Sequence, residues 1–308
     1  MTIKPRVSIV IPVYNRHETL NRAISSVLNQ EFQEFEIIIV DDGSETPVST
    51  IVDGHNDSRI RCMRFDENRG ANRARNVGIE MSRSEYISFL DSDDELLPGN
   101  LSICAKVLDD SRDDCGGAYT SSLIIKDGKP YFVYSAKEKV HFSDLIKKNL
   151  IGSLSTTIFK KSAIEKAGFF DEELPAAQDY DLYLRIAEHY NIIGINEVLV
   201  NVHVDSRGRI SENPEKKIRG FERIVEKHQN KLDDCRIADQ LFDLGLIYAE
   251  KGDLAIAAKY FKEAIGKDRF HWNSYYHLTF TTFGKRFFNY SFSLKRNLRL
   301  ILWKLGYS

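Results

Sequence analysis

The sequence predicts an α/β fold with a mixed central sheet, followed by a small all-α C-terminal region. Three observations carry this prediction. Short apolar runs alternate with helix-periodic stretches through residues 7–90, the pattern turns mixed between residues 100 and 204, and helix formers take over near residue 230. Regular strand–helix alternation implies a parallel sheet with right-handed crossovers. The expected division is a larger domain over residues 1–230 and a helical region over 231–308.

Val7-Ser8-Ile9-Val10-Ile11-Pro12 is almost continuously apolar, as in a strand buried on both faces. Leu20, Ala23, Ile24, Val27 and Leu28 then recur at the spacing of one helix face. Glu36-Ile37-Ile38-Ile39-Val40 predicts a second buried strand, ending at Asp41-Asp42-Gly43-Ser44, and Pro47 suits the first turn of a helix. Residues 59–65 predict a third strand, Ala71, Ala74, Val77 and Met81 a helix face, and residues 85–90 a fourth strand. Residues 101–108 read as helix, and residues 117–125 and 129–134 as a hairpin turned by Asp127-Gly128. A short strand over 155–159, a helix over 179–190 and one or two strands over 192–204 complete the larger domain. Beyond it, Leu244, Gly245, Tyr248, Gly252, Ala257, Phe261 and Ala264 have the offsets of one tetratricopeptide repeat, although Arg269 stands where a closing proline is usual. A single repeat cannot bury its own face, so this one needs a neighbour.

Bulk properties exclude several classes. A net charge of −2 over 308 residues argues against a nucleic-acid-binding protein. The four cysteines lack metal-ligand spacing and suggest no disulfide framework, which predicts a reducing, cytoplasmic setting. Residues 1–6 lead into a strand without a charged-then-apolar leader, and no apolar run approaches the ~20 residues of a membrane span.

Polar clusters follow three predicted strands: Pro12-Val13-Tyr14-Asn15-Arg16, Asp41-Asp42-Gly43-Ser44 and Asp91-Ser92-Asp93-Asp94-Glu95. In a parallel sheet all three lie on one edge, where open α/β folds bind ligands. Tyr14 offers a ring face for a base, and Asp42 offers acceptors for a base N–H or a ribose hydroxyl. Asp91 and Asp93, one residue apart, can share a hard divalent cation whose shell substrate phosphates complete. Each has a plainer reading: a surface tyrosine, a turn, and an acidic loop before the helix that follows Pro98. Their coincidence on one edge weakens those readings. In Asn68-Arg69-Gly70-Ala71-Asn72-Arg73-Ala74-Arg75-Asn76, Gly70 marks a helix entry that favours anions; Arg73 fits a solvated face and Arg75 a ligand contact.

Together these four blocks resemble the family 2 glycosyltransferases, whose nucleotide-sugar domain has the Rossmann-like GT-A fold. The resemblance spans about residues 5–205. It implies that Pro12, Tyr14, Asn15, Asp42, Arg75, Asp91 and Ser92 bind the nucleotide-sugar, usually a UDP-sugar, and that Asp93 ligates Mn²⁺ or Mg²⁺ on the diphosphate. The family's base lies at the start of a later helix in a Glu-Asp pair; here Gln178-Asp179-Tyr180-Asp181-Leu182 matches it, with Asp179 as the base and Gln178 in place of the usual Glu. A carboxylate at a helix N-terminus also has a structural reading, and Asp181 is the fallback base. Some relatives close the metal shell with a histidine near His203, and Arg207 is placed to steady the diphosphate. The implied reaction is one inverting displacement, with Asp179 taking the proton of a glycan or lipid-linked acceptor hydroxyl.

After Asp268 no acid occurs up to Ser308, while Lys and Arg alternate with aromatic and aliphatic residues. Residues 285–308 therefore suit either an interfacial contact with anionic lipid, peripheral to the inner face of the cell membrane, or packing against the repeat. A nucleotidyltransferase would carry a glycine-rich loop after the first strand, where Pro12-Val13-Tyr14-Asn15 stands. A non-catalytic nucleotide-binding scaffold would have no need of Asp91, Asp93 and Asp179.

Overall fold

The computed structural model describes residues 4–204 and 214–282. Two compact units divide the chain, residues 1–210 and 211–308. Arg207 and residues 285–308 lie outside the described residues.

The first unit runs β1 (Val7–Val13), α1 (His17–Leu28), β2 (Phe35–Asp41), α2 (Ser49–His55), β3 (Ile60–Arg64), α3 (Ala71–Met81) and β4 (Tyr86–Phe89). It continues with β5 (Glu95–Leu96), α4 (Asn100–Asp109), β6 (Cys115–Lys126), β7 (Lys129–Tyr134), β8 (Lys139–Val140) and α5 (Phe142–Leu145). It closes with β9 (Thr157–Lys160), α6 (Lys161–Ala167), α7 (Gln178–Ala187) and β10 (Asn191–Val204). The strands form one sheet in the order β3-β2-β1-β4-β9-β6-β10-β5, with β7 beside β6 and β8 beside β10.

The expected parallel half is present: β1 pairs in parallel with β2 and β4, and β2 with β3. Every residue of β1 and β2 is buried, the physical reason their sequences are continuously apolar rather than alternating. Alternate residues serve opposite layers. Ile9, Ile11, Ile37 and Ile39 pack with Leu20, Ile24 and Val27 of α1 and Leu101 and Leu108 of α4. Ile38 and Val40 pack with Ala74 and Val77 of α3.

The mixed half is joined by β9, which runs antiparallel to both β4 and β6. The Asp127-Gly128 hairpin forms as expected between β6 and β7. Residues 192–204 form one strand rather than two, with register shifts against β6 that absorb its irregular apolar pattern. Pro47 sits just outside α2, whose N-cap is Val48.

The second unit contains α8 (Pro214–His228), α9 (Asp234–Lys251), α10 (Leu254–Lys267) and α11 (Trp272–Thr281). The α8 helix, before residue 230, thus groups with the helical part. The repeat-like spacing corresponds to the hairpin of α9 and α10, turned by Gly252 at φ 100°. A Cβ on Gly245 would come within 2.4 Å of the Phe261 ring, so only glycine permits this helix contact.

Candidate active site

The parallel pairing of β1, β2 and β4 puts the segments after them on one edge of the sheet. The first two segments are stitched together. The Asn15 N–H donates to Ser44 Oγ at 3.0 Å, and the Glu45 N–H donates to Asn15 Oδ1 at 2.8 Å. Asn15 has φ 51°, a left-handed turn that asparagine tolerates, and Tyr14 beside it is exposed. Pro12 is buried inside β1 opposite Val40, so its contribution is to the strand that carries Tyr14.

Asp41 and Asp42 divide the work. Asp41 points back into the fold, accepting from the Ser44 N–H at 2.9 Å and from Arg64 at 3.0 Å. Asp42 accepts from the Arg69 and Gly70 N–H groups at 2.7 and 3.0 Å, which fixes the entry to α3. Burial holds the Asp42 carboxyl above its ordinary value despite those two donors. Gly43 has φ 73°, and a Cβ there would meet the Glu67 carbonyl carbon at 2.5 Å; glycine alone lets the two loops meet.

The third segment concentrates charge. Asp91 is bound by Arg75 Nη2 at 2.8 Å and Asp93 by Arg16, while Ser92 is buried. Burial and then the neighbouring Asp91 raise Asp93 above the ordinary carboxylate value even with Arg16 beside it. Crowding of this kind is what a hard cation relieves. Asp91 and Asp93 therefore fit a Mn²⁺ or Mg²⁺ site. Among the described residues no three His, Cys, Asp or Glu side chains form a metal-binding group, so such a shell needs substrate oxygens. His203 is not gathered with Asp93 into one: its Nε2 lies 2.8 Å from Glu95 Oε2, and its N–H donates to Asp94.

Asp179 lies in the first turn of α7, after Ala177 in a left-handed conformation at φ 59°. Burial raises its carboxyl; the Tyr180 N–H and the Arg75 guanidinium pull it down, and Asp91 pushes it up again. Arg75 and Asp91 are thus electrostatic neighbours of Asp179, and Asp91 is also a neighbour of Asp93. Asp91, Asp93 and Asp179 therefore lie in one region. Arg75 is 5% exposed, and its Nε and Nη1 have no hydrogen-bond partner among the described residues. Asp181, by contrast, is fully buried and paired with Arg185 at 2.7 Å, a structural placement. Arg73 sits at the surface near Glu172, at 3.2 Å.

Several positioning residues escaped the sequence reading. Asn76 exchanges two hydrogen bonds with the Phe170 backbone, at 3.0 and 2.9 Å, and Asn72 donates to the Asp171 and Leu174 carbonyls at 2.8 and 2.9 Å. These two asparagines, one helical turn apart on α3, hold the segment that leads to Asp179. Their i, i+4 spacing, off the apolar Ala71/Ala74/Val77 face, was the available signal.

A sheet of this topology, with acids gathered at its parallel strand ends and a further acid on a helix of the mixed half, defines the glycosyltransferases of GT-A type. The chain belongs to glycosyl transferase family 2, whose model matches residues 8–167. It is 33% identical over 257 residues to an Escherichia coli (strain K12) protein provisionally named colanic acid biosynthesis glycosyl transferase WcaA, covering 79% of this chain and 88% of that one. It is 31% identical over 175 residues to the GalNAc(5)-diNAcBac-PP-undecaprenol beta-1,3-glucosyltransferase of Campylobacter jejuni, covering 54% of this chain and 56% of that one. The crystal structure of Staphylococcus aureus TarS 1–349 in complex with UDP-GlcNAc shares the fold at TM-score 0.66 and 17% identity, over 93% of this chain and 89% of that one. The Pyrobaculum calidifontis mannosyltransferase PcManGT, in complex with GDP-Man and Mn²⁺, does so at 0.56 and 18%, over 94% and 86%.

Proposed function

We propose that this enzyme moves a sugar from a nucleotide-sugar, with UDP-sugars as the leading donors, to a hydroxyl of a glycan or lipid-linked acceptor, inverting the anomeric configuration. The observation that carries the reading is the position of Asp91. It is an electrostatic neighbour of both Asp93 and Asp179, so the donor acids and the acid on α7 face common ground. Structural relatives that bind UDP-GlcNAc, or GDP-Man with Mn²⁺, support the donor class.

In this reading Tyr14 stacks on the base, and Asn15, Asp42 and Ser92 shape the pocket around the nucleoside. Asp93 would hold the divalent ion, with Asp91 beside it toward the nucleoside, and the ion when bound neutralises the leaving diphosphate. Arg75 holds Asp91, and in this reading its remaining guanidinium donors serve the substrate oxygens. Asp179 accepts the acceptor's proton as the acceptor oxygen bonds to the anomeric carbon, and the bond to the diphosphate breaks. Burial suits Asp179 to that task, because a raised carboxyl is a stronger base than a solvated one.

The test is UDP release from a panel of UDP-sugars, with Mn²⁺ and with chelator. Stimulation by Mn²⁺ supports the reading. A folded protein that binds nucleotide but releases UDP from no sugar would favour the scaffold role, and one that binds no nucleotide would overturn the donor reading.

Residues 285–308 lie outside the described residues, and no described helix is long and apolar enough to cross a membrane. A peripheral contact through that basic, acid-free segment would bring the enzyme to a lipid-linked acceptor. Flotation with anionic vesicles, comparing the full chain with a truncation after Asp268, tests this; equal binding by both removes it.

A further inference from the structure

We propose that Ser155 and Asp94 are positioning residues that together set the geometry of the Asp91–Asp93 carboxylates. The inference rests on the reading of those carboxylates as the donor-diphosphate site. Neither residue touches substrate in that reading; both act through the loop that does.

The geometry is a closed ring. The Asp91 N–H donates to Ser155 Oγ at 3.0 Å, Ser155 Oγ donates to Asp94 Oδ2 at 2.5 Å, and the Asp94 N–H donates to the Asp91 carbonyl at 3.0 Å. The loop after β4 is thereby pinned at both of its ends by one hydroxyl. Asp94 Oδ1 accepts from the His203 N–H at 2.9 Å, which ties the ring to the end of β10. Three segments distant in sequence thus meet at one carboxylate. Ser155 and Asp94 are 1% and 2% exposed, whereas the Asp91 and Asp93 side chains are 37% and 20% exposed. The loop therefore turns two acids outward and one inward, and the inward one is the anchor.

Ser155 is itself held. It belongs to a single tight turn, Leu154–Thr156, whose N-cap Ser153 accepts the Ser155 N–H. With the hydroxyl removed, the Asp91 N–H and Asp94 Oδ2 both lose a buried partner, and the loop is free to re-aim its outward acids. Residues that hydrogen-bond around a metal-binding carboxylate commonly change ion affinity by about 10- to 100-fold when replaced.

The experiment measures UDP binding in the presence of Mn²⁺ by calorimetry, beside thermal unfolding, for the wild type, Ser155→Ala, Ser155→Thr, Asp94→Asn and the control Ser88→Ala. Ser88 is also buried, and its Oγ donates to the Thr157 carbonyl at 3.2 Å, so it reports the loss of a nearby hydroxyl with no tie to the loop. Ser155→Ala should weaken UDP–Mn²⁺ binding by about 10-fold or more. Ser155→Thr, which restores a hydroxyl, should recover much of that loss, and Ser88→Ala should leave affinity unchanged. Asp94→Asn retains an oxygen for the His203 N–H and should fall between. In turnover, Ser155→Ala should raise the donor KM more than it lowers kcat. Wild-type binding that Ser155→Ala leaves intact would overturn this inference alone. So would losses in Ser155→Ala and Ser88→Ala that simply follow their melting temperatures. A wild type that binds neither UDP nor GDP would overturn the donor reading itself.

Discussion

The two ends of the same parallel strands treat buried carboxylates in opposite ways. At the start of β2, Glu36 is 1% exposed and surrounded by donors: the Arg83 N–H at 2.8 Å, Ser8 Oγ at 2.8 Å, Arg83 Nη2 at 2.8 Å and Arg61 Nη1 at 3.2 Å. Burial alone would raise this carboxyl, but those donors outweigh it and hold it below its ordinary value. At the other end, Asp42, Asp93, Asp94 and Asp179 all lie above theirs, with burial the leading cause each time. The acids at this end have fewer donors, and Asp93, Asp94 and Asp179 each feel the neighbouring Asp91. One end spends its carboxylate on holding the sheet together, and the other keeps acids that are incompletely compensated until a substrate arrives.

The largest expected effect is at the second end. Asp179→Asn should cut turnover by roughly 10² or more while leaving UDP binding and the melting temperature intact, because it removes the proposed base and a poorly compensated charge together. Full activity in this variant would break the contrast at its centre. Next, Asp93→Ala should weaken Mn²⁺-dependent UDP binding by about 10- to 100-fold, read by calorimetry, again with no loss of stability. The reverse pattern is expected at the first end. Glu36→Gln should destabilise the fold by about 1–3 kcal/mol in denaturant unfolding and leave kcat unaltered, since it strands buried donors far from the chemistry.

The pH dependence sharpens the same contrast. Glu36 lies below its unfolded value, so its stabilisation is present above that value and is lost only as pH falls through the lower folded one. Asp179 lies above its unfolded value, so acidification protonates it early, removing the base while relieving the folded state. Activity should therefore fall reversibly at a higher pH than circular dichroism does. Coincident transitions would show that the two ends are not independent. The smallest effect concerns backbone strain. Ala177 at φ 59° leads directly into the Asp179 helix, and Ala177→Gly should raise stability by about 1 kcal/mol. A drop in kcat in the same variant would indicate that the strain helps to aim Asp179.

Legibility in the sequence divided along similar lines. The strands β1 and β2 were readable because a strand buried on both faces must be continuously apolar, and the candidate site acids stood out because they form short strings at the ends of β2 and β4. Asp179 stood out only through its match to the family's motif, and it lies in the first turn of α7. The partners of these acids were not. Ser155 lies 64 residues from Asp91, and Asn76 lies 94 residues from Phe170, so neither partner is announced by its local pattern. Glu36 looked like an ordinary polar strand start, because nothing local announces that Ser8, Arg61 and Arg83 converge on it. His203 illustrates the converse: a histidine after a strand suited a metal shell by position, and the fold engages its ring with Glu95.

Apolar periodicity and turn chemistry are local, and through them the sequence by itself determined the order of strands and helices and the edge that carries Tyr14, Asp42, Asp91 and Asp93; the family was legible only in the resemblance of the four motif blocks. The insertion of β9 between β4 and β6, the ring through Ser155 and Asp94, and the contrast between Glu36 and the site acids were decided only by tertiary structure. The reason is physical: the state of a buried carboxylate depends on which distant donors reach it, and the folded chain alone brings them within hydrogen-bonding distance.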